Sequence, residues 1–335
     1  MITELINGSD AFTVLADEWD QLAQRGITDT PFQTLAYQKA WWTHLHPANG
    51  RLHTITVRSD QQELLAIASL YNVDGILHFN GCVEETDYLD LIAPAEHAEA
   101  AWQAVLDCLC SDGFPQWDSI QLCNIPEASP SRSILEQEAQ RRGFLFNETV
   151  NEVCPVIHLA DTFEGYLDSI DSKQRREIQR KLRRAEGADA QLVVVGPDDD
   201  VDTAVTDFLD LLQKSTFEKR DWLNDGRRAV FYDAARAAQK AGTLNLIFME
   251  VRGKKAAALF NFDYKDRIWV YNSGLDPALF GALSLGVVIT AKAIEYAVEN
   301  GRTTFDFLRG NETYKYRFGA QDTTIYRIHL EPASL

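Results

Sequence analysis

Apolar and polar positions change period many times along this chain, and the changes mark out short strands set between helices. Phe12, Leu15, Trp19 and Leu22 recur at helical spacing and predict an amphipathic opening helix. Thr30-Pro31 breaks it, and Pro31 suits the start of the next helix, which carries Tyr37, Trp41, Trp42 and Leu45. Residues 52–57 alternate, Asp60-Gln61-Gln62 turns, and 64–71 returns, the pattern of a hairpin. Strands are predicted at 76–79, 88–92 and 119–122. Helices are predicted at 98–110 and 133–142, the second stopped by Gly143.

The same order then recurs. Helices are expected at 201–214 and 226–241, with Gly242 as the stop, and a hairpin over 244–251 and 256–264 turning at Arg252-Gly253. A strand over 267–271, a helix over 287–299 ended by Asn300-Gly301, and strands at 304–308 and 324–330 follow. Segment 52–57 corresponds to 244–248, segment 65–71 to 257–263, and the helix before Gly113 to the helix before Gly301. Two long repeats are too few for a solenoid. They predict a duplicated α/β (α+β) module with a mixed, largely antiparallel sheet. The boundary is placed near 151–159, giving domains 1–154 and 155–335.

Length and composition agree with this division. At 335 residues the chain exceeds the usual single core, and 45% hydrophobic content is that of a globular protein. No apolar run reaches membrane-span length, and the first residues have neither a basic nor an apolar leader region, so no membrane insertion and a cytoplasmic location are expected. Five cysteines without paired spacing argue against a disulfide framework. The seven histidines show no metal-ligand spacing, so no metal is expected. A net charge of −18 disfavours nucleic acid as a partner.

Against that charge, one basic stretch stands out, Lys173-Gln174-Arg175-Arg176-Glu177-Ile178-Gln179-Arg180-Lys181-Leu182-Arg183-Arg184. On a helix, Ile178 and Leu182 face the core, and Lys173, Arg176, Arg180 and Arg184 form a neighbouring stripe. It suits a phosphorylated donor or RNA, and equally a solvated face paired with acids elsewhere. The run Leu279-Phe280-Gly281-Ala282-Leu283-Ser284-Leu285-Gly286 enters a long helix. Gly-directed amides and the helix dipole there suit a pyrophosphate, with Ser284 as cap or phosphate ligand. An ordinary Ser-capped turn fits the same pattern. The first half has Ala93-Pro94-Ala95-Glu96-His97-Ala98-Glu99 at this place, without glycine and with two acids that repel phosphate.

Asp306 lies inside an aromatic strand, where a carboxylate needs a partner, and Glu312 follows closely. Either is a candidate general base or an ion-pair partner that fixes a turn. Tyr314 is a candidate proton donor to a leaving thiolate, and Lys315 a candidate phosphate ligand. In the first half, Tyr88 and Asp90 combine an aromatic with an acid, which suits sugar or amine binding and also an ordinary interface.

The run Phe305-Asp306-Phe307-Leu308-Arg309-Gly310-Asn311-Glu312, followed by Tyr314-Lys315-Tyr316-Arg317-Phe318-Gly319, resembles the signature of GNAT-like acyltransferases linked to bacterial cellulose and exopolysaccharide synthesis. Glu18-Trp19-Asp20, Pro31-Phe32-Gln33, Trp41-Trp42 and Asp87-Tyr88-Leu89-Asp90 are similar to that family too, so the resemblance spans nearly the whole chain. The family is a distant relative of the Fem-type aminoacyltransferases. The resemblance implies tandem GNAT-like modules, the first without a donor site, and acyl-CoA, acetyl-CoA above all, as co-substrate. Donor contacts are implied at Asn272, Gly274 and Leu275, and at Leu283, Ser284, Gly286 and Lys315. Arg309, Arg176, Arg180, Tyr88 and Asp90 are the acceptor-side candidates. The acceptor implied is an amine or hydroxyl of a sugar, polysaccharide precursor or other small molecule, with polysaccharide-synthesis proteins as partners. The alternatives are a Fem-like aminoacyl-tRNA-dependent transferase and a non-catalytic member of a polysaccharide-synthesis complex.

Overall fold

The computed structural model describes residues 1–82 and 85–333. The chain forms two units, Met1–Glu152 joined by the C-terminal strand from Thr323, and Val153–Asp322. The first runs through β1 (Ile2–Asn7), α1 (Ala11–Val14), α2 (Trp19–Ala23), α3 (Leu35–Leu45), β2 (Arg51–Arg58), β3 (Leu64–Val73), β4 (Ile76–Phe79), α4 (Ala98–Leu109), β5 (Ser119–Pro126), α5 (Ser131–Arg142) and the beginning of β6 (Phe144–His158). The second begins on the end of β6. It continues through α6 (Phe163–Ser169), α7 (Ser172–Glu186), β7 (Ala190–Val194), α8 (Val201–Ser215), α9 (Phe217–Trp222), α10 (Asp225–Ala241), β8 (Leu244–Val251), β9 (Lys254–Tyr264), β10 (Arg267–Leu275), α11 (Leu285–Glu299), β11 (Thr304–Asp306) and α12 (Thr313–Arg317). β12 (Gln321–Pro332) then returns to the first unit.

Strand order is β1-β2-β3-β4-β5-β12 in the first unit and β6-β11-β10-β9-β8-β7 in the second. Five successive strands correspond, β1 to β5 with β7 to β11. In each unit the first four pair antiparallel, and the fourth and fifth run parallel across a helix, α4 or α11. This is the duplicated mixed-sheet module that the recurrence along the chain predicts.

Each sheet places large side chains on both faces. In the second unit Phe260 meets Phe208 of α8 and Phe231 of α10 at 5.5 and 5.4 Å. Leu259 and Ile268 join the cluster formed with Ile289 and Ile294 of α11. Burying each such side chain contributes about 1.5–3 kcal/mol. The glycine stops hold: Gly143 and Gly242 sit in the left-handed region, at φ of 70° and 71°.

Several expectations need correction. The opening helix is two short helices, because Leu15 and Trp19 are both drawn inside while Glu18 is pulled out to Arg58 at 2.7 and 2.9 Å. Edge strands β1 and β7 escape prediction because β1 is largely exposed, β7 is short and only partly buried, and neither has a fully buried face to mark it. Residues 88–92 are not a strand: Tyr88 takes φ of 54° and Asp90 turns fully inward. The segment from Thr323, assigned by sequence to the second domain, completes the first unit. Residues 334 and 335 lie outside the described residues. Cys82 and Cys123, 41 positions apart, are joined by a disulfide, a pairing the spacing conceals.

Asp90 organises the first unit. Its carboxylate accepts hydrogen bonds from Thr28 Oγ1 (2.9 Å), Ser129 Oγ (2.5 Å), Ser131 Oγ (2.6 Å) and the Leu91 amide (2.8 Å). Burial pushes its pKa up, and these four donors oppose the rise. Asp90→Ala strands three hydroxyls and should lower the unfolding free energy by about 3 kcal/mol in urea titrations. With a folded pKa above the unfolded one, the native unit holds the proton longer, so stability falls as pH rises from the ordinary carboxylate range through the raised value. Asp90→Asn should abolish that fall. A pH–stability curve for Asp90→Asn that runs parallel to the wild type would contradict this assignment.

Candidate active site

The second unit opens a gap between two parallel strands. β10 pairs with β9 along Arg267–Leu275, with a register shift between Val270 and Asn272, but with β11 only at Arg267, Ile268 and Trp269. Beyond Trp269 the main chain of β10 has no neighbouring strand on that side among the described residues. The Asp276 amide bonds to Ala256 O at 3.0 Å, which sets the phase of the ladder. Asn272 and Gly274 therefore turn their main-chain groups to β9, and Ser273 and Leu275 turn theirs into the gap.

Buried amides need acceptors, and side chains supply them here. The Ser273 amide donates to Asn272 Oδ1 (2.9 Å), and the Leu275 amide to Ser215 Oγ at the end of α8 (2.7 Å). Ser273 O and Oγ accept from Lys219 Nζ of α9 at 2.5 and 3.0 Å. Gly274 lets α8 come this close: a Cβ there would lie 2.7 Å from Leu212 N and 2.8 Å from Leu211 Cβ. The bulge, the short β11 and Gly274 thus put Ser273 and Leu275 on the gap side, whereas Asn272 and Gly274, named from the sequence with Leu275, turn their main-chain groups to β9. Ser215 and Lys219 carry no sequence pattern that would have revealed them.

At the far end of β10 the chain enters α11 through a 3-10 turn at Gly281–Leu283, bracketed by Phe280 and Ser284 at φ of 50° and 56°. Of the two roles read for Ser284, the cap is not made: its left-handed backbone turns the hydroxyl away from the first turn, and it forms no side-chain capping bond. The amides of Leu285 and Gly286 find no acceptor among the described residues. A Cβ on Gly286 would meet nothing within 4 Å, and a cavity of about 260 Å³ opens beside Leu275, Phe280, Ser284 and Gly286. Leu283 is buried and anchors the turn in the core.

Two basic groups of α7 reach this turn. Arg184 Nη1 donates to Ala282 O at 3.0 Å, and Lys181 lines the cavity. The stripe of Lys173, Arg176, Arg180 and Arg184 is exposed as predicted, and Ile178 is buried beneath it. Arg180 is held by Glu177 at 2.8 and 3.0 Å. Of the stripe read from the sequence, Arg184 meets the helix terminus, joined by Lys181 from beside it, whereas Arg176 and Arg180 make no contact with it among the described residues.

The acids and bases of the 305–317 run divide by environment. Asp306 is fully buried, bonded to Arg267 Nη1 at 3.1 Å and to the Leu308 amide at 2.8 Å, so the turn-fixing role describes it and the general-base role does not. Lys315 is 3% exposed and donates to the carbonyls of Leu308 (3.2 Å), Arg309 (2.7 Å) and Gly310 (3.0 Å), with Glu312 at 2.9 Å. Its donors hold the loop together and leave none for a donor phosphate. Glu312 is more than half exposed and folds over Gly310, whose φ of 105° and absent Cβ make room for it. Tyr314 packs edge-on against Phe307 at 5.9 Å. Desolvation of its hydroxyl, and then the Glu312 charge, push its pKa up, although part of the ring is exposed.

The first unit treats the equivalent gap differently. β4 pairs with β5 only at Ile76 and Leu77, but its own chain fills the space beyond. The Leu89 amide donates to Asn124 O (3.0 Å), Asn124 Nδ2 to Thr86 O (2.6 Å), and Ile92 exchanges bonds with Ile67 at 2.9 and 3.1 Å. The Cys82–Cys123 disulfide joins the same two sides. Tyr88 and Asp90 are consumed in this plug, since both are buried and Asp90 is saturated, so neither faces an acceptor.

A strand splayed at a bulge, followed by a turn that offers free amides at a helix start, gives this unit a GNAT-type fold. Residues 172–316 match the family model described as an acetyltransferase (GNAT) domain. No curated protein matches the chain significantly in sequence. Among solved structures, FemX shares the fold with a TM-score of 0.66 at 10% identity, over 97% of this chain and 96% of that one. L-PGS from Bacillus licheniformis gives 0.60 at 9% identity over 95% and 92%. A conserved protein of unknown function from Bacteroides thetaiotaomicron gives 0.60 at 14% over 95% and 97%. No cluster of three or more His, Cys, Asp or Glu able to hold a metal occurs among the described residues, and no described helix is long and apolar enough to cross a membrane.

Lys315→Met should cost about 2–4 kcal/mol in thermal or urea unfolding, because three carbonyls lose a charged donor. Unchanged stability with a weakened response to coenzyme A would return Lys315 to the phosphate-binding role.

Proposed function

We propose that the second unit transfers an acyl group from an acyl-CoA thioester, acetyl-CoA foremost, to an amine or hydroxyl acceptor. The observation that carries this reading is the gap beside β10, where Ser273 and Leu275 turn main-chain groups toward the space left by β11 and are met only by exchangeable side chains. A pantetheine arm offers the amide and carbonyl groups that such a strand pairs with. The turn before α11 supports the donor's phosphates: two free amides, open space over Gly286, and Lys181 and Arg184 alongside. Coenzyme A thus fits the residues present.

Catalysis would come from holding the thioester against the bulged strand, with gap-side N–H groups drawn to the oxyanion as it forms. The plugged gap of the first unit supports a donor site in the second unit only. A sugar or polysaccharide precursor as acceptor, and polysaccharide-synthesis proteins as partners, belong to this proposal through the resemblance in the 305–319 run. The exposed stripe on α7 favours one second reading, an aminoacyl-tRNA donor. It requires salt-sensitive tRNA binding that Arg176→Glu with Arg180→Glu abolishes.

Coenzyme A at 100 times its Kd should stabilise the protein by about 2.7 kcal/mol, seen as a rise of several degrees in melting temperature. Gly286→Glu, whose Cβ would meet nothing within 4 Å, should fold normally and lose that rise. An equal rise in both proteins would remove the helix start from the donor site, and no rise in the wild type would reject acyl-CoA as donor.

A further inference from the structure

The carboxylates near the gap are committed to other work, Asp306 to Arg267 and Glu312 to Lys315, which leaves the proton of the attacking acceptor without an assigned destination. Lys219 is placed to receive it. α8 ends at Ser215, and Thr216 Oγ1 accepts from the Lys219 amide at 3.2 Å, which starts α9 and turns the Lys219 side chain toward β10. Its Nζ then reaches Ser273 O (2.5 Å) and Oγ (3.0 Å), one position past the Asn272 end of the bulge, on the gap side of the strand.

We propose that Lys219 is the proton carrier of the acyl transfer. This rests on the reading of the gap as a thioester site. In the amine form, one N–H keeps the bond to Ser273 Oγ while Ser273 O is released to the donor, and the nitrogen lone pair accepts the proton of the acceptor. The acceptor nitrogen or oxygen forms its bond to the acyl carbon, and the carbon–sulfur bond breaks. The resulting ammonium returns the proton to the departing thiolate sulfur, which leaves as the thiol. No oxidation or reduction occurs, and Lys219 ends as the amine.

The surroundings support both protonation states. Loss of solvent around Nζ lowers the Lys219 pKa to about 8, and the Glu312 carboxylate opposes that shift. Tyr314, beside Glu312, stays neutral because its own pKa is pushed up. At the end of β10, Lys214 bonds Asp210 at 2.6 Å and faces Asp276 at 3.7 Å. At pH 7 about a tenth of Lys219 is then the free amine, a useful population for a general base.

The test uses the full chain with acetyl-CoA, following thiol release with water and with hydroxylamine as acceptor. Lys219→Arg keeps a cation and donors for Ser273 but holds its proton throughout the working pH range. It should bind acetyl-CoA with a KM within about twofold of the wild type and lose about 100-fold in kcat. The wild-type rate should rise with pH through a midpoint near 8, and that limb should vanish in Lys219→Arg and in Lys219→Met. The acetyl-CoA-induced rise in melting temperature serves as the check that each variant is folded. A Lys219→Arg rate within threefold of the wild type with the same pH limb overturns the proton-carrier role and leaves the acyl-CoA reading intact. A wild type that acetyl-CoA neither stabilises nor acylates through overturns both.

Discussion

The second unit depends on a main-chain requirement: amides taken out of water must find acceptors. β10 satisfies half of its groups on β9 and then parts from β11 after three residues, leaving Ser273 and Leu275 to be met by Asn272, Ser215 and Lys219. Those partners come from side chains that can let go, unlike a ladder of strand to strand. The gap is therefore a place where the fold holds its hydrogen bonds in a form another extended molecule can take over. Gly274 sets the distance at which α8 supplies Ser215, and the bulge sets which groups face the space.

The contrast between the units follows from the same requirement. Each has a fourth and fifth strand that meet briefly and diverge. In the first, residues 86–92 fold back and hydrogen-bond into the space, with Asp90 tying the returning segment to Thr28, Ser129 and Ser131. In the second, the chain after β10 moves away to build a helix start with free amides. One topology thus gives a plugged core in one place and a receptive groove in the other, and the difference lies in the connection after the fourth strand.

Much of this architecture was legible in the residues. Apolar alternation located the hairpins of both units, and Gly143 and Gly242 marked helix ends because only a left-handed residue closes them cheaply. The recurrence of elements gave the duplicated module. What escaped had physical reasons. β1 and β7 are edges with little buried surface, so no fully buried face betrays them. The roles within 305–317 were ambiguous because a carboxylate in a strand and a lysine in a loop look alike whether they serve chemistry or a turn. Only burial and partners separated Asp306 and Lys315 from that choice. Ser215 and Lys219 were invisible because their meaning comes from β10, more than 50 positions away.

The placement of β12 has a consequence for how the molecule is made. β5 bonds β12 at Ile325, Tyr326, Ile328, His329 and Leu330, so the first half to leave the ribosome lacks a strand encoded nearly 200 residues later. Until translation passes that point, β5 presents an unpaired border of the kind that recruits foreign strands. The first unit therefore completes its sheet only after translation has passed β12.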